Sequence, residues 1–151
     1  MAKKNKKNRK GCLLVLLILI GALLVYNSVL TKTTKENKHR TFIAVTLRDG
    51  VEKYFSKHKH YPENVSALDI TYKNTIEEFL RTGILEYSRD PSGSQWFTVT
   101  CRFSGILSRG GNSPAFSWSG IQYSNDVNKL SLPAGEHPAA DKNGFFQADF
   151  H

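Results

Sequence analysis

The sequence has few cysteines and lacks the local motifs that commonly mark catalytic sites. Its 151 residues include only two cysteines, and no CxxC spacing occurs. A disulfide framework and a zinc site built on cysteine pairs are therefore excluded. The GxSxG, HExxH and glycine-rich phosphate-loop patterns are also missing. Because each of these patterns positions a nucleophile, a metal ion or a phosphate, the sequence predicts that the protein is not an enzyme.

Acidic residues are missing from the start of the chain, which helps to explain a formal net charge of +8. The first ten residues contain six Lys or Arg and no acid, and residues 31–40 contain four basic residues and one acidic residue. Residues 41–151 have 11 basic and 12 acidic side chains, a net charge of −1. Since the basic charge flanks an apolar run and is absent from the rest of the chain, we expect no nucleic-acid partner.

The apolar run at residues 12–30 has the length and composition of a membrane span. Its first fourteen residues, CLLVLLILIGALLV, include no strongly polar side chain, and Tyr26 follows them. An α-helix rises about 1.5 Å per residue, so about 20 residues cross a hydrocarbon core of about 30 Å. Only a helix pairs all its own backbone groups in lipid. The larger positive charge before the run predicts a cytoplasmic N-terminus and a C-terminal domain that is periplasmic or extracellular.

A cleaved secretory signal is the alternative interpretation of this run. The basic residues before it fit such a signal, but no A-x-A cleavage pattern follows it. We therefore divide the chain into a cytoplasmic basic segment (1–11), a transmembrane helix in the inner (cytoplasmic) membrane (12–30), a polar tether or helix continuation (31–40) and an extracytoplasmic domain (41–151).

The extracytoplasmic domain is predicted to begin with an amphipathic helix over residues 41–55. Its apolar side chains recur at steps of three and four residues: Ile43, Leu47, Val51 and Tyr54. Phe42, Val45 and Phe55 are expected to widen this stripe. The helix should end before Pro62, because the residue preceding a proline favours extended backbone. A short second helix is predicted to be capped by Asn74 or Thr75 and stopped by Gly83.

Alternating apolar residues then predict β-structure. Residues 95–103 form one predicted strand, preceded by a turn at Asp90-Pro91-Ser92-Gly93, and residues 115–124 form a second strand with a bulge at Gly120. The tail from Pro133 is expected to be irregular, with Phe145 or Phe146 docked on the domain. The fold class is therefore α+β: an N-terminal transmembrane helix, continuous with the amphipathic helix or separate from it, packed on a small antiparallel sheet.

Three local patterns point to a family. Residues 6–11, KKNRKG, end in glycine directly before the apolar run; the predicted helix closes with LRDGVEKY at 47–54 and is followed by His60-Tyr61-Pro62; and residues 121–126 read IQYSND. Together with the order of elements, they resemble type IV pilins and especially the pseudopilins of type II secretion. The resemblance implies a leader cut between Gly11 and Cys12. It also implies a structural role in a bacterial secretion or pilus assembly, as a homo- or hetero-filament.

The sequence departs from the family pattern where the leader ends. Prepilins have Phe or Met after the cut and Glu four residues later, and Cys12 and Leu16 stand at those positions. The chain is thus either a minor member or is not processed in the usual way. The alternative function is a monomeric single-pass protein whose outer domain binds another envelope protein.

Few side chains qualify as ligands or nucleophiles. Asp126, Asn128 and Asp141 are the candidate oxygen ligands for calcium, which resembled pseudopilins hold in a C-terminal loop; an ordinary turn is the alternative. Cys101, on the apolar face of a predicted strand, is expected to be a packed, inert thiol. His58 and His60 are expected to lie at a solvated helix end and not to form a metal site.

Overall fold

The computed structural model describes residues 6–104, 120–131, 138–142 and 144–150. The chain divides into two compact units, Met1–Lys35 and Glu36–His151. Helix α1 spans Lys6–His58 and belongs to both. The other elements all lie in the second unit: a 3₁₀ turn at Val65–Ala67, α2 (Lys73–Arg81), β1 (Leu85–Arg89), β2 (Phe97–Arg102), β3 (Gly120–Ser124), a 3₁₀ turn at Val127–Lys129, and β4 (Phe146–Phe150).

In the first unit, α1 exposes an apolar surface. The large apolar side chains between Leu13 and Leu30 are 40–65 % exposed. Beyond them, the hydroxyls of Thr31 and Thr34 donate to the carbonyls of Asn27 (2.8 Å) and Leu30 (2.9 Å). These bonds satisfy the two hydroxyls within the helix itself, and the helix runs on through the polar residues after the apolar run.

In the second unit, α1 buries one stripe against the sheet. Ile43, Leu47 and Val51 are fully buried, as the spacing predicts. Val45 and Phe55 are partly buried against the core, so the prediction that they widen the stripe is confirmed. The same prediction is wrong for Phe42, which is 51 % exposed. One residue advances about 100° around a helix, which places Phe42 to the side of Ile43. A Cβ on Gly50 would overlap the Cγ2 methyl of Ile70, so this glycine permits close packing.

The sequence correctly predicted where α1 ends but not where α2 begins. Helix α1 ends before Pro62 as expected, and Lys59 takes a left-handed conformation (φ 62°). The predicted cap of α2 at Asn74 or Thr75 is wrong. Both residues lie inside the helix, and the N-cap is Tyr72, which makes no side-chain capping bond.

Gly83 ends α2 as predicted. Its φ is +72°, its N–H donates to the Leu80 carbonyl at 3.2 Å, and the Ile84 N–H donates to the Phe79 carbonyl at 2.9 Å. This pair of bonds is a Schellman motif, in which a left-handed residue satisfies the last helical carbonyls. A glycine at this position adopts that conformation without steric cost.

Four antiparallel strands form one sheet in the order β1-β2-β3-β4. Leu85 pairs with Cys101, Cys101 with Ile121, and Ile121 with Asp149. The prediction for β2 is confirmed, because Phe97 and Cys101 are fully buried on its helix-facing side. The turn at residues 90–93 is also confirmed: the Gly93 N–H donates to the Asp90 carbonyl at 2.9 Å.

Two strands were not predicted from the sequence. Strand β1 lies at one edge of the sheet, and β4 lies at the other. The prediction that the whole tail from Pro133 is irregular is wrong for Phe146–Phe150. The structure describes residues 120–124 of the strand predicted at 115–124. These residues form β3 and pair with β2 in a regular antiparallel register that begins with Gly120 opposite Arg102. Residues 115–119, including Trp118, lie outside the described residues.

The core lies between the second part of α1 and the sheet. One buried cluster joins this part of α1, α2, strands β1 to β3 and residues of the connecting segments: Ile43, Ala44, Leu47, Val51, Tyr61, Val65, Leu68, Ile76, Leu85, Phe97, Val99, Cys101, Ile121, Tyr123 and Phe145. A helix packed on an antiparallel sheet is the α+β arrangement that the sequence predicts.

Candidate functional site

The first candidate site is the apolar surface of α1. Among the described residues, this is the one helix long and apolar enough to cross a membrane, and none of its most apolar stretch is buried within the protein. Gly11 and Cys12, the predicted cleavage junction, lie within the same helix, which already begins at Lys6. Cleavage between them stays a prediction.

The calcium candidates each have protein partners. The Asp126 carboxylate accepts bonds from the backbone and side-chain nitrogens of Asn128, both at 3.0 Å, and so caps the 3₁₀ turn. The Asp141 carboxylate accepts from the Phe145 N–H at 3.0 Å and lies 3.6 Å from the Arg48 guanidinium. A guanidinium beside Asp141 opposes a second cation there. Calcium binding by Asp126, Asn128 and Asp141 stays a prediction.

Arg48 links α1 to the end of the sheet. Its guanidinium lies 5.1 Å from the ring centre of Tyr123 and 5.0 Å from that of Phe145. It also pairs with Asp49 at 2.8 Å. Because the side chain is mostly buried between two rings, its cation–π contacts hold the chain before β4 against the helix. No sequence pattern pointed to this arginine.

Cys101 behaves as the packed thiol that the sequence predicts. It is fully buried in the core and unpaired. Burial raises the pKa of its thiol to about 11, although the nearby Arg40 guanidinium acts in the opposite direction. A thiol with that pKa is not a nucleophile near neutral pH.

The second candidate site is an open cleft of about 370 Å³ where α1 ends. The cleft is lined by residues from three parts of the chain: Tyr54 of α1, the segment His60–Asn64 with Ala67, and Arg89 at the end of β1 with Pro91 and Ser92 of the following turn. Two bonds hold these segments together. The Tyr61 N–H donates to the Gly93 carbonyl at 2.5 Å, and the Tyr87 hydroxyl donates to the Pro62 carbonyl at 2.9 Å.

A guanidinium forms the polar part of this cleft. The Arg89 side chain is only 19 % exposed, and its Nη2 lies 3.3 Å from the carboxylate of Glu63, which is 83 % exposed. The arginine packs over Gly93, where a Cβ would overlap its Nη1. Arg89 is therefore fixed in place, whereas its acidic partner extends into solvent.

Aromatic rings form one wall of the cleft. The Tyr54 ring stacks on His58, with centroids 4.2 Å apart, and on His60, at 5.6 Å. Both histidines are exposed, as expected for a solvated helix end. In the part of the chain that the structure describes, no group of three or more His, Cys, Asp or Glu side chains is placed to hold a metal ion.

The sequence did not point to this cleft, since it depends on distant residues that meet only in the fold. Tyr54 was interpreted as part of the buried stripe, and Arg89 carries no motif. Pro62 and Pro91 are far apart in the sequence, and nothing in it indicates that both line one cleft until the pairing of the strands is known.

The fold and α1 together define a class of protein: an α+β domain on a chain that also carries a helix able to span a membrane. Comparisons with protein-family models, with curated proteins and with solved structures return no match.

Proposed function

We propose that the protein is a membrane-anchored, non-enzymatic component of a pilin-type assembly, similar to the pseudopilins of bacterial secretion or pilus machines. One observation carries this proposal. A single helix, α1, contains an exposed apolar stretch and then a stripe that covers an antiparallel sheet. The pilin resemblance implies this combination, in which one helix both anchors the domain and forms part of its core.

The apolar stretch of α1 would pack against other helices in the membrane. Between helices in lipid, association depends on close van der Waals packing, which small residues favour. Gly21 lies in the middle of the stretch, with no other atom within 4 Å of a Cβ built there. It therefore offers a place where a neighbouring helix can approach the backbone.

Leu16 favours a minor component over the repeating subunit of a filament. After a cut at Gly11, the new amine of Cys12 would lie at the edge of the hydrocarbon. The family's glutamate neutralises such an amine, and an unpaired charge in hydrocarbon is costly. A subunit present once or a few times avoids repeating this cost along a filament.

We propose an inner-membrane location with the N-terminus in the cytoplasm and the α+β domain in the periplasm or outside the cell. The six basic residues before the apolar run support this orientation. Alkaline phosphatase fused after His151 should be active, because the enzyme folds only outside the cytoplasm. An inactive but stable fusion would reverse the orientation.

A monomeric anchored protein that binds another envelope protein is the second candidate. It is favoured by the missing glutamate at position 16 and needs no contact between membrane helices. The two candidates therefore differ in whether α1 has neighbours in the membrane.

Cross-linking in the protein's own cells tests this difference. A photo-cross-linking residue, p-benzoylphenylalanine, replaces one residue at a time from Leu17 to Leu24, and intact membranes are irradiated. This residue captures any neighbouring helix, so the test does not require a second copy of the chain. The pilin-type proposal predicts cross-linked products that recur every three to four positions and include position 21. The same replacement at Lys32 serves as the control outside the apolar stretch. Products at no position, or equally at all positions, would favour the monomeric protein.

A further inference from the structure

We propose that the open edge of strand β4 binds an extended segment of a partner protein, which pairs with β4 as an additional strand of the sheet. Strand β4 (Phe146–Phe150) lies at one edge of the four-stranded sheet. An edge strand presents unpaired N–H and C=O groups, and an extended segment of another chain satisfies them with the same hydrogen bonds that join the native strands. This inference goes beyond the proposed function and does not depend on cleavage of the leader or on contacts between membrane helices.

The main-chain groups of Gln147 and Asp149 face away from the sheet. In an antiparallel pair, successive residues of a strand direct their main-chain groups to opposite sides. The Arg102 N–H donates to the Ile84 carbonyl at 2.8 Å, so every second residue of β2, counted from Arg102, faces β1, and the residues between face β3. The registers continue this alternation to β4, where Ala148 faces β3 and its two neighbours face outward.

The outward side of β4 is occupied just before the strand and open beyond that point. The Phe145 carbonyl accepts from the Asp141 N–H at 2.7 Å, and the Phe145 N–H donates to the Asp141 carboxylate at 3.0 Å. Two residues later, Gln147 is exposed, and no residue among those that the structure describes bonds to its outward N–H or C=O. A strand that pairs here therefore finds a donor and an acceptor without any rearrangement of the domain.

The opposite edge of the sheet is covered. The Ile84 N–H, directly before β1, donates to the Phe79 carbonyl of α2 at 2.9 Å, and Leu85 is fully buried. The Tyr87 hydroxyl donates to the Pro62 carbonyl at 2.9 Å. Strand β4 lacks the usual protection of an edge, because its sequence, FQADF, has no proline or lysine and its register with β3 has no bulge. Of the two edges, β4 is thus the one open to pairing.

A second copy of β4 does not fit this edge when both chains are anchored in one membrane. Two copies of β4 would pair about a two-fold axis normal to the sheet, because both strands would belong to one continuous antiparallel sheet. A half-turn about that axis reverses every direction in the plane of the sheet, including that of the second part of α1, which packs on it. Two chains with the same orientation in one membrane cannot pair in this way. Since β1 is covered, a second copy offers no other free edge, and the added strand therefore comes from a different protein.

The two faces of β4 define the kind of segment that fits. Phe146 and Ala148 lie on one face of the sheet, where Phe146 is partly buried and Ala148 is buried. Gln147 lies on the other face and is exposed. Because residues of an added strand share a face with the residues opposite them, the segment has apolar residues opposite Phe146 and Ala148 and a polar residue opposite Gln147.

The test uses the full chain in nanodiscs, with a fluorescein-labelled peptide of the β4 sequence, FQADF, as the probe. This sequence is nearly symmetrical, so an antiparallel copy places Phe opposite Phe, Ala opposite Ala and Gln opposite Asp. The free peptide lacks α1 and is not subject to the constraint on a second copy. Fluorescence anisotropy gives the dissociation constant.

Matched N-methylated peptides show whether the peptide binds as a strand. The Gln and Asp amides of the peptide donate to the protein in this register, whereas the Ala amide faces away. N-methylation of the Gln and Asp amides should weaken binding by about ten-fold or more, and N-methylation of the Ala amide should leave it unchanged. Equal effects of the two methylations, or no binding of the unmethylated peptide, would overturn the inference.

Substitutions at Gln147 test the same edge on the protein. Gln147→Pro removes the outward N–H but no hydrogen bond to β3, and proline is tolerated on edge strands for this reason. Gln147→Val keeps the N–H and is the matched control. We expect the proline variant to bind the peptide about ten-fold or more weakly and the valine variant to bind it as the native chain does.

Two results with these variants would contradict the proposal. Native affinity in Gln147→Pro would show that the peptide binds elsewhere. A dimer of the native chain in detergent micelles that Gln147→Pro dissociates would assign the edge to a second copy instead. The methylated peptides are measured on the native chain, so their result does not depend on whether Gln147→Pro folds.

Discussion

The two parts of α1 differ in what covers their apolar side chains. In the second part, Ile43, Leu47 and Val51 are fully buried by the sheet and by α2. In the first part, every large apolar side chain from Leu13 to Leu30 is at least 40 % exposed. A continuous apolar surface of that length is not stable against water and needs a cover. The two parts of α1 therefore suit different surroundings. The second part contributes to the protein core, and the first part is long and apolar enough to lie in lipid.

The largest effect is expected from a charge in the second part of the helix. Val51→Asp should unfold the α+β domain, because a buried carboxylate without a partner costs several kcal/mol and Val51 is completely enclosed. Loss of near-UV circular dichroism and of protease resistance measures the unfolding. Lys57→Asp, at an exposed position of the same helix, should leave both unchanged. Equal effects of the two substitutions would contradict the assignment of the buried face.

A charge in the first part should instead affect membrane insertion. Ile20→Arg places a cation in the middle of the apolar stretch, which costs about 2.5–3.5 kcal/mol at the centre of a membrane helix. We expect more of this variant than of the native chain to be released from membranes by alkaline carbonate, with a folded domain. Thr34→Arg, beyond the apolar stretch, should remain bound. Full retention of Ile20→Arg would show that this stretch is not the anchor.

Two glycines sharpen the comparison between the parts. Gly50→Ala should lower the free energy of unfolding of the domain by about 1–3 kcal/mol through overpacking. The alanine Cβ would overlap the Cγ2 methyl of Ile70. This cost opposes a gain of about 1 kcal/mol in helix propensity. Gly21→Ala, in open surroundings, should leave the thermal unfolding of the domain unchanged.

Ile70→Ala provides the control for the Gly50 prediction. In an Ile70→Ala background the overlapping methyl is gone, so adding Gly50→Ala should be neutral or stabilising. If Gly50→Ala destabilises both backgrounds equally, the contact with Ile70 is not its cause.

The smallest effect is a pH dependence at Glu52. Burial raises the pKa of this carboxyl, with a contribution from Asp49, while Arg48 opposes the shift. The folded state therefore favours the protonated form. Stability from this group is fully present below the ordinary glutamate pKa and is lost as the pH rises through the raised value. Glu52→Gln should gain stability relative to the native chain above that range, by roughly 0.5 kcal/mol or less. Urea unfolding at acid and neutral pH measures the difference, and a gain that shrinks as the pH rises would contradict the sign.

The elements that could be predicted from the sequence are those with a clear periodic pattern of apolar residues in a short segment. The stripe of α1 and the alternation of β2 repeat at helix and strand periods, so their burial follows directly. The edge strands were missed because edge positions need less apolar surface: β1 reads LEYSR, with only Leu85 fully buried, and β4 is five residues after an irregular segment. The α2 cap was wrong because Tyr72 adopts a left-handed conformation that no cap residue signalled.

The candidate sites likewise divide into those marked by a local sequence pattern and those formed by residues that meet only in the fold. The apolar stretch of α1 was predictable because its signal is a continuous run. The cleft was not, because Arg89 and Glu63 are brought together by the β1–β2 turn and by the bond between Tyr61 and Gly93. Arg48 was missed for a similar reason, since its two rings come from β3 and from the residue before β4.

The most direct test of the pilin-type proposal is the intact mass of the mature protein purified from membranes of its own cells. The proposal predicts a chain that begins at Cys12, with or without a methylated amine, because the leader ends at Gly11. A mass that retains Lys3 to Lys10 would contradict processing of the pilin type. The protein would then be a permanent signal anchor, and the monomeric envelope protein would be the better account.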